Sequence, residues 1–268
     1  MSLRKRFPTA VILLAVLFVV IQWTSALIFF LFLQTFIIVA LLEFYNLARR
    51  RKWAPRRTAG ILFALLIGAS FYFKELPFEM ALIIGLMLAG AYFVVSFNTI
   101  EKMVLFPPSF ALTVFGAVYI GFTLGYLYPL RVEKGPLYIY FLFIVIFLGD
   151  SGAYMFGKLL GRHKMTPIAS PNKTWEGSIG GILFACGAAI AARALFLPRI
   201  GLFQAVICGA LVHAVAQLSD PLESLFKRAA GVKDSSNILP GHGGFLDRID
   251  SLILAAPFYY YFIRFFWK

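Results

Sequence analysis

The chain has 268 residues, 61% of them hydrophobic and 17% aromatic, with a mean hydropathy of +0.85. Apolar runs recur from one end to the other, which excludes a soluble domain of this size, because such a domain would leave much of that surface in water. The formal net charge is +13, from 25 lysines and arginines against 12 acids. Beside membrane-length runs this excess points to anionic headgroups, and nucleic acid is not expected as a partner.

A helix crossing the hydrocarbon core needs about 20 residues, most of them apolar. In chain order, spans are expected near Pro8 to Ile21, Thr24 to Leu47, Thr58 to Lys74, Pro77 to Phe97 and Pro107 to Tyr128. Four more follow near Pro136 to Gly157, Trp175 to Leu197, Gly201 to Gly231 and Phe245 to Phe265. The turn at Gln22 to Ser25 is weakly marked, so one span fewer is the alternative count. The basic Met1 to Arg6 segment leads into apolar sequence without a small-residue cleavage site and reads as the start of a first membrane helix. The expectation is an all-α integral membrane protein, a polytopic helix bundle with about nine transmembrane helices. Its parts are N-terminal helices over 1–57, middle helices over 58–135 and C-terminal helices over 136–268, the last carrying polar loops at 158–174 and 231–244.

Orientation follows from the basic residues, because cytoplasmic loops carry the excess of lysine and arginine. With the N-terminus inside, most of the 25 fall on the cytoplasmic side, including Arg49, Arg50, Arg51, Lys52, Arg56 and Arg57. Both polar loops then face the cytoplasm, and the expected location is the cell's inner membrane. Cys186 and Cys208 lie inside apolar spans and read as small hydrophobes, with no disulfide or metal role. No internal repeat supports a repeat-built transporter.

The acids are unevenly spread. Up to residue 149 they are Glu43, Glu75, Glu79, Glu101 and Glu133, all read as lying near span ends, where a charge costs little. From Asp150 onward come Asp150, Glu176, Asp220, Glu223, Asp234, Asp247 and Asp250, several within or beside spans. Ionisable groups at membrane depth are functional candidates by default.

Four ordered blocks then stand out: Ser224-Leu-Phe-Lys227-Arg228, Lys233-Asp234, Pro240-Gly-His242-Gly243-Gly244 and Asp247-Arg248-Ile-Asp250. Upstream lie Gly149-Asp150-Ser-Gly-Ala-Tyr154 and Ser170-Pro-Asn172-Lys173-Thr174-Trp-Glu176-Gly177. Together they resemble the phosphatidate cytidylyltransferases, or CDP-diacylglycerol synthases, over roughly residues 149 to 251. The N-terminal half matches only as generic spans. The resemblance implies CTP and phosphatidic acid as substrates, CDP-diacylglycerol and pyrophosphate as products, and a homodimer. One departure is Ser219-Asp220-Pro221, where the family usually reads Gly-Asp-Leu. Proline lacks an N–H and its ring clashes with the carbonyl four residues back, so a break or kink is expected there. Asp-Pro-x-Glu also reads as a helix start, with Asp220 as N-cap and Glu223 closing a capping box.

The chemistry agrees. Nucleotidyl transfer between two anions needs no protein nucleophile, only positioning and charge stabilisation. Carboxylates holding a hard divalent cation are the usual means. Asp220, Asp247, Asp250 and Asp150 are therefore the candidate ligands for Mg²⁺, with Mn²⁺ as a substitute and a monovalent ion as a second candidate cation. Asp247 and Asp250 share a face if helical; the competing reading is salt bridges to nearby cations. Lys173 and Lys227, with Asp220, Asp247 and Asp250, are the candidate catalytic groups. Ser170, Asn172, Lys173, Thr174, Ser224, Arg228, Lys233, His242, Gly243, Gly244 and Arg248 are the candidate substrate contacts, the glycine-rich turn through its backbone N–H groups. Helix capping is the alternative for Ser170, Asn172 and Thr174. Two rival functions remain on sequence grounds: a CTP-dependent polyprenol kinase, and a membrane transporter.

Overall fold

In hydrocarbon a chain must satisfy its backbone polar groups internally, and helices do so one segment at a time. The computed structural model describes residues 3–236, 238 and 243–267, with the backbone alone for residues 3–10, 12 and 13. Among the described residues there are nine helices when the run Ile100–Lys134 is taken as one. They are α1 Leu3–Trp23, α2 Ala26–Arg50, α3 Arg57–Tyr72, α4 Phe78–Ser96, α5 Ile100–Lys134, α6 Pro136–Leu160, α7 Trp175–Phe196, α8 Leu202–Ala229 and α9 Leu246–Phe266. Seven of these, α2 and α4 to α9, are long and apolar enough to cross a membrane. The continuous stretch of α1 with described side chains, Leu14–Trp23, does not test its full length, and α3, with 16 residues, is shorter than a span. The chain is an all-α polytopic membrane protein, as its apolar pattern requires.

Local differences have physical causes. The weakly marked turn before α2 is a true helix start, because Ser25 Oγ accepts a hydrogen bond from Ile28 N at 3.3 Å. Helix α5 begins at Ile100 rather than at Pro107, includes Pro107 and Pro108, and loosens into π-helical turns at Ala117–Phe122 and Leu130–Lys134. The loop at 158–174 is not irregular throughout. It contains an antiparallel hairpin, β1 Lys164–Thr166 with β2 Ser170–Thr174, in the register Lys164 to Thr174 and Thr166 to Ser170. The expected break at Pro221 does not occur, since α8 runs continuously from Leu202 to Ala229 with Pro221 inside it. Asp220 is thus a mid-helix residue, not an N-cap. Proline deletes one helical bond, and flanking turns held by packing tolerate that loss in membrane helices.

The chain falls into two compact units, Met1–Pro129 with Phe226–Arg248 and Leu130–Leu225 with Ile249–Lys268. Residues 136–268 are thus shared between the units, the segment Phe226–Arg248 grouping with the N-terminal helices. Aromatic packing explains this. Phe44 of α2 meets Phe226 at 5.2 Å and Phe115 at 6.0 Å between ring centroids, and Phe36 meets Phe245 at 4.8 Å. Tyr45, fully buried, donates its hydroxyl to Thr113 O at 2.7 Å.

In the other unit, α6 and α7 approach closely through small side chains. A Cβ on Gly177 would lie 2.8 Å from Ala153 O and 3.1 Å from Gly157 Cα, both backbone atoms that cannot swing aside. Phe141 stacks on Tyr259 at 5.6 Å, and Tyr260 donates its hydroxyl to Glu133 Oε2 at 2.9 Å.

Gly177→Ala is expected to destabilise by about 1–3 kcal/mol, the usual cost of overpacking. Gly187→Ala on the same helix, where an added Cβ meets nothing within 4 Å, should be neutral or stabilising by up to about 1 kcal/mol. Thermal melts of the two purified variants in detergent provide the comparison.

Candidate functional site

The polar side chains fall into two clusters, one in each unit. In the unit built on α6 and α7, the hairpin is fastened at its base. Glu176, in the first turn of α7, accepts from Arg162 N at 3.0 Å and His163 N at 3.2 Å, and meets His163 Nδ1 at 2.5 Å. Trp175 N donates to His163 O at 3.0 Å. Thr174 Oγ1 accepts from Gly177 N at 3.2 Å, so this residue caps α7, as the capping reading anticipated.

From this anchored strand Lys173 extends its ammonium to Asp220 Oδ2 at 2.7 Å. The other oxygen of Asp220 accepts from Ser224 Oγ at 3.3 Å, one turn along α8. Asp150 of α6 has Lys173 and Asp220 as its charged neighbours. Asp220 is the carboxylate in contact with the ammonium, and Asp150 acts on it through its charge. Among the described residues no three His, Cys, Asp or Glu side chains group around a common point. Magnesium usually takes only one or two carboxylates, with water and substrate phosphate completing its shell, and Asp220 can offer it an oxygen only by releasing Lys173 or Ser224. Ser170 is half-buried, with its carbonyl 3.3 Å from Thr166 Oγ1, and Asn172 is exposed.

Behind Asp220 in sequence, α8 carries a buried polar chain. Gln217 Nε2 donates to Ser178 O at 3.1 Å and lies 2.8 Å from His213 Nε2. Gly149 makes room for that imidazole, since a Cβ there would fall 2.4 Å from His213 Nδ1. Ser219 donates its hydroxyl to the carbonyl of Asp250, whose Oδ1 accepts from Ser251 N at 2.7 Å.

The second cluster lies in the unit built on α2 and the 231–244 loop. Lys227, at the end of α8, meets Asp247 Oδ1 at 2.7 Å, both side chains being 9% exposed. Asp247 Oδ2 accepts from Ser235 N at 3.0 Å and Gly244 N at 2.9 Å, and lies 3.1 Å from Ser235 Oγ. The salt bridge weighed against metal binding at Asp247 is present, and Asp247 and Asp250 are engaged with different partners. The Gly244 N–H, expected to face phosphate, donates to Asp247. Gly243 has φ +80°, a left-handed conformation open to glycine. Arg228 Nη1 donates to Val232 O at 3.2 Å, while Lys233 and Arg248 are exposed. His242, with Pro240 and Gly241, lies outside the described residues.

Sequence reasoning missed Glu43, Ser235 and Ser236. Glu43 is fully buried and accepts from Phe245 N at 2.9 Å, Leu246 N at 2.7 Å and Ser235 Oγ at 2.9 Å, with Ser236 Oγ as a fourth donor. The available signal was its place inside the apolar run ending at Leu47, where a carboxylate needs partners.

A sequence profile of the cytidylyltransferase family matches residues 4–266. The chain is 39% identical over 171 residues to the phosphatidate cytidylyltransferase of Staphylococcus saprophyticus, covering 64% of this chain and 65% of that protein. It is 38% identical over 171 residues to the protein of that name from Staphylococcus epidermidis, with the same coverage. To that of Staphylococcus aureus it is 36% identical over 183 residues, 68% of this chain and 69% of the relative. The alignments thus span about two thirds of these relatives' lengths.

Removing one partner of a buried ion pair strands the other charge, so Asp247→Asn is expected to lower stability by about 3 kcal/mol. Lys227→Met in the same chain should recover part of that loss. A double-mutant cycle on unfolding should give a coupling of at least about 1 kcal/mol, whereas additivity within about 0.5 kcal/mol would mean that the two residues act independently.

Proposed function

The chain belongs to the cytidylyltransferase family, and on that premise we propose that it transfers the cytidylyl group of CTP to phosphatidic acid, giving CDP-diacylglycerol and pyrophosphate. The observation that carries the reading is Lys173, held at 2.7 Å from Asp220 with Asp150 as its other acidic neighbour. The names of the staphylococcal relatives support the same substrates.

A deprotonated phosphate oxygen of phosphatidic acid attacks the α-phosphorus of CTP. The bond from that phosphorus to the bridging oxygen breaks, and pyrophosphate leaves with the electron pair. Nothing is oxidised or reduced, and no protein nucleophile enters. Lys173 stabilises charge on the phosphates, released from Asp220 as they bind. Lys227 adds a positive charge while fixing Asp247. Asp150 and Asp220 would hold Mg²⁺, which would supply counter-charge to the triphosphate and the leaving group. Asp250, Ser170, Asn172, Ser224, Arg228, Lys233 and Arg248 are proposed as further contacts to substrate or its ion. The protein is proposed to work as a homodimer in the inner membrane with its polar loops on the cytoplasmic side, where the basic residues concentrate.

Purified protein supplied with CTP, Mg²⁺ and phosphatidic acid in mixed micelles should release CDP-diacylglycerol and pyrophosphate in equal amounts. Release of CDP with a phosphorylated lipid alcohol would favour a lipid kinase and overturn the proposal. Chelator should abolish turnover and Mg²⁺ restore it; full turnover in excess chelator would remove the metal from the scheme. Lys173→Ala and Asp220→Asn should each lower kcat by about a hundred- to a thousandfold, the effect of losing a contact made to transition-state charge. Glu101→Gln, an exposed acid on α5, should leave turnover unchanged. For orientation, Arg51→Cys, Ser170→Cys and Ser236→Cys, each in a chain lacking Cys186 and Cys208, should be labelled only from the cytoplasmic side.

A further inference from the structure

Glu43 belongs to the half of the chain that reads as plain membrane spans, yet its carboxylate is the point on which the 231–244 loop closes. Its Oε1 accepts from Phe245 N at 2.9 Å and from Ser236 Oγ; its Oε2 accepts from Leu246 N at 2.7 Å and Ser235 Oγ at 2.9 Å. Two donors precede the glycine-rich turn and two follow it. One side chain therefore fastens both ends of the same loop. A carboxylate needed only to stabilise α2 would have no reason to take all these partners from a single distant segment.

We infer that Glu43 is a positioning residue, setting the geometry of the loop and, through it, of the Lys227 and Asp247 pair; the functional part of this inference rests on the proposed cytidylyl transfer. The connection runs through Ser235. Its hydroxyl lies 2.9 Å from Glu43 Oε2 and 3.1 Å from Asp247 Oδ2, and its backbone N–H donates to Asp247 at 3.0 Å. A shift of Ser235 away from Glu43 must also change what holds Asp247. Gly244 makes the junction tight, because a Cβ there would fall 1.7 Å from Ser235 Oγ and 2.8 Å from Glu43 Oε2.

Phe245 N and Leu246 N are also the N–H groups that open α9. A helix start is ordinarily a seat for an anion. Here Glu43 fills it, so the start of α9 is not open to substrate phosphate.

The test uses Glu43→Gln, which keeps the shape but replaces one acceptor oxygen with a donor, in the full-length purified protein. Hydrogen exchange is measured on residues 232–247 and, as an internal reference, on residues 170–178. Kinetics are measured with CTP and phosphatidic acid. Exchange in 232–247 should rise about tenfold or more, the equivalent of losing one charge-assisted hydrogen bond, while 170–178 is unchanged. The value of kcat/KM should fall about 10- to 100-fold, with a change in KM for CTP that Gly177→Ala does not show. Ser236→Ala, which removes a single donor, should shift both readouts in the same direction by less and serves if Glu43→Gln does not fold. Unchanged loop exchange in a folded variant, or protection lost evenly over the molecule, would overturn the inference. If the unaltered protein makes no CDP-diacylglycerol, the proposed reaction fails, while the exchange data still decide whether Glu43 orders the loop.

Discussion

A carboxylate withdrawn from water is stable only where its oxygens are met by donors or by positive charge, and that requirement organises this protein. The apolar pattern produces helices without difficulty, because hydrocarbon rewards any segment that satisfies its own backbone. It does not by itself choose a loop conformation. The buried acids do. Glu43 and Asp247 between them engage the side chains of Ser235 and Ser236, the ammonium of Lys227 and the backbone N–H groups of Ser235, Gly244, Phe245 and Leu246. The described ends of the loop, at Ser235, Ser236 and Gly244, are thereby fixed by polar contacts. Aromatic contacts such as Phe36 with Phe245 supply the remaining packing.

The two lysine–aspartate pairs differ in a way that suits different tasks. In the Lys173 and Asp220 pair the side chains are 26% and 31% exposed, against 9% each for Lys227 and Asp247. An open pair can exchange its partner for an arriving phosphate at small cost, since water and ions already screen it. A closed pair cannot be separated without stranding a charge. On the proposed reaction, Lys173 is then the mobile contributor of charge, and Lys227 a fixed one. Both benefit from being placed before substrate arrives, which lowers the reorganisation needed during the transfer.

Much of this was legible in the residues. Helix number and order follow from the apolar pattern, and Lys173 and Asp220 each stand out in the sequence, one as a phosphate contact and the other as a metal ligand. What escaped did so for identifiable reasons. The proline rule that forecast a break at Pro221 is local, and packing along α8 outweighed it. The hairpin strand Ser170–Thr174 is short and polar, without the alternation that marks a half-buried strand. Thr174 was read as a phosphate donor as well as a cap, and only geometry shows which its hydroxyl does. Glu43 looked like an inexpensive acid near a span end because nothing in the adjacent sequence reveals its partners.

Those partners lie far along the chain: Ser235 is 192 residues and Leu246 is 203 residues beyond Glu43. A ribosome adding about 5–20 residues per second takes roughly 10–40 s to cover that distance. Throughout that interval α2 has been made and its carboxylate has none of these donors, so it must stay hydrated or close to the bilayer surface. Burial of Glu43 is therefore among the last events of assembly, and it waits for the first turn of the final helix. A chain that ends before α9 retains an unmatched acid in an otherwise apolar segment.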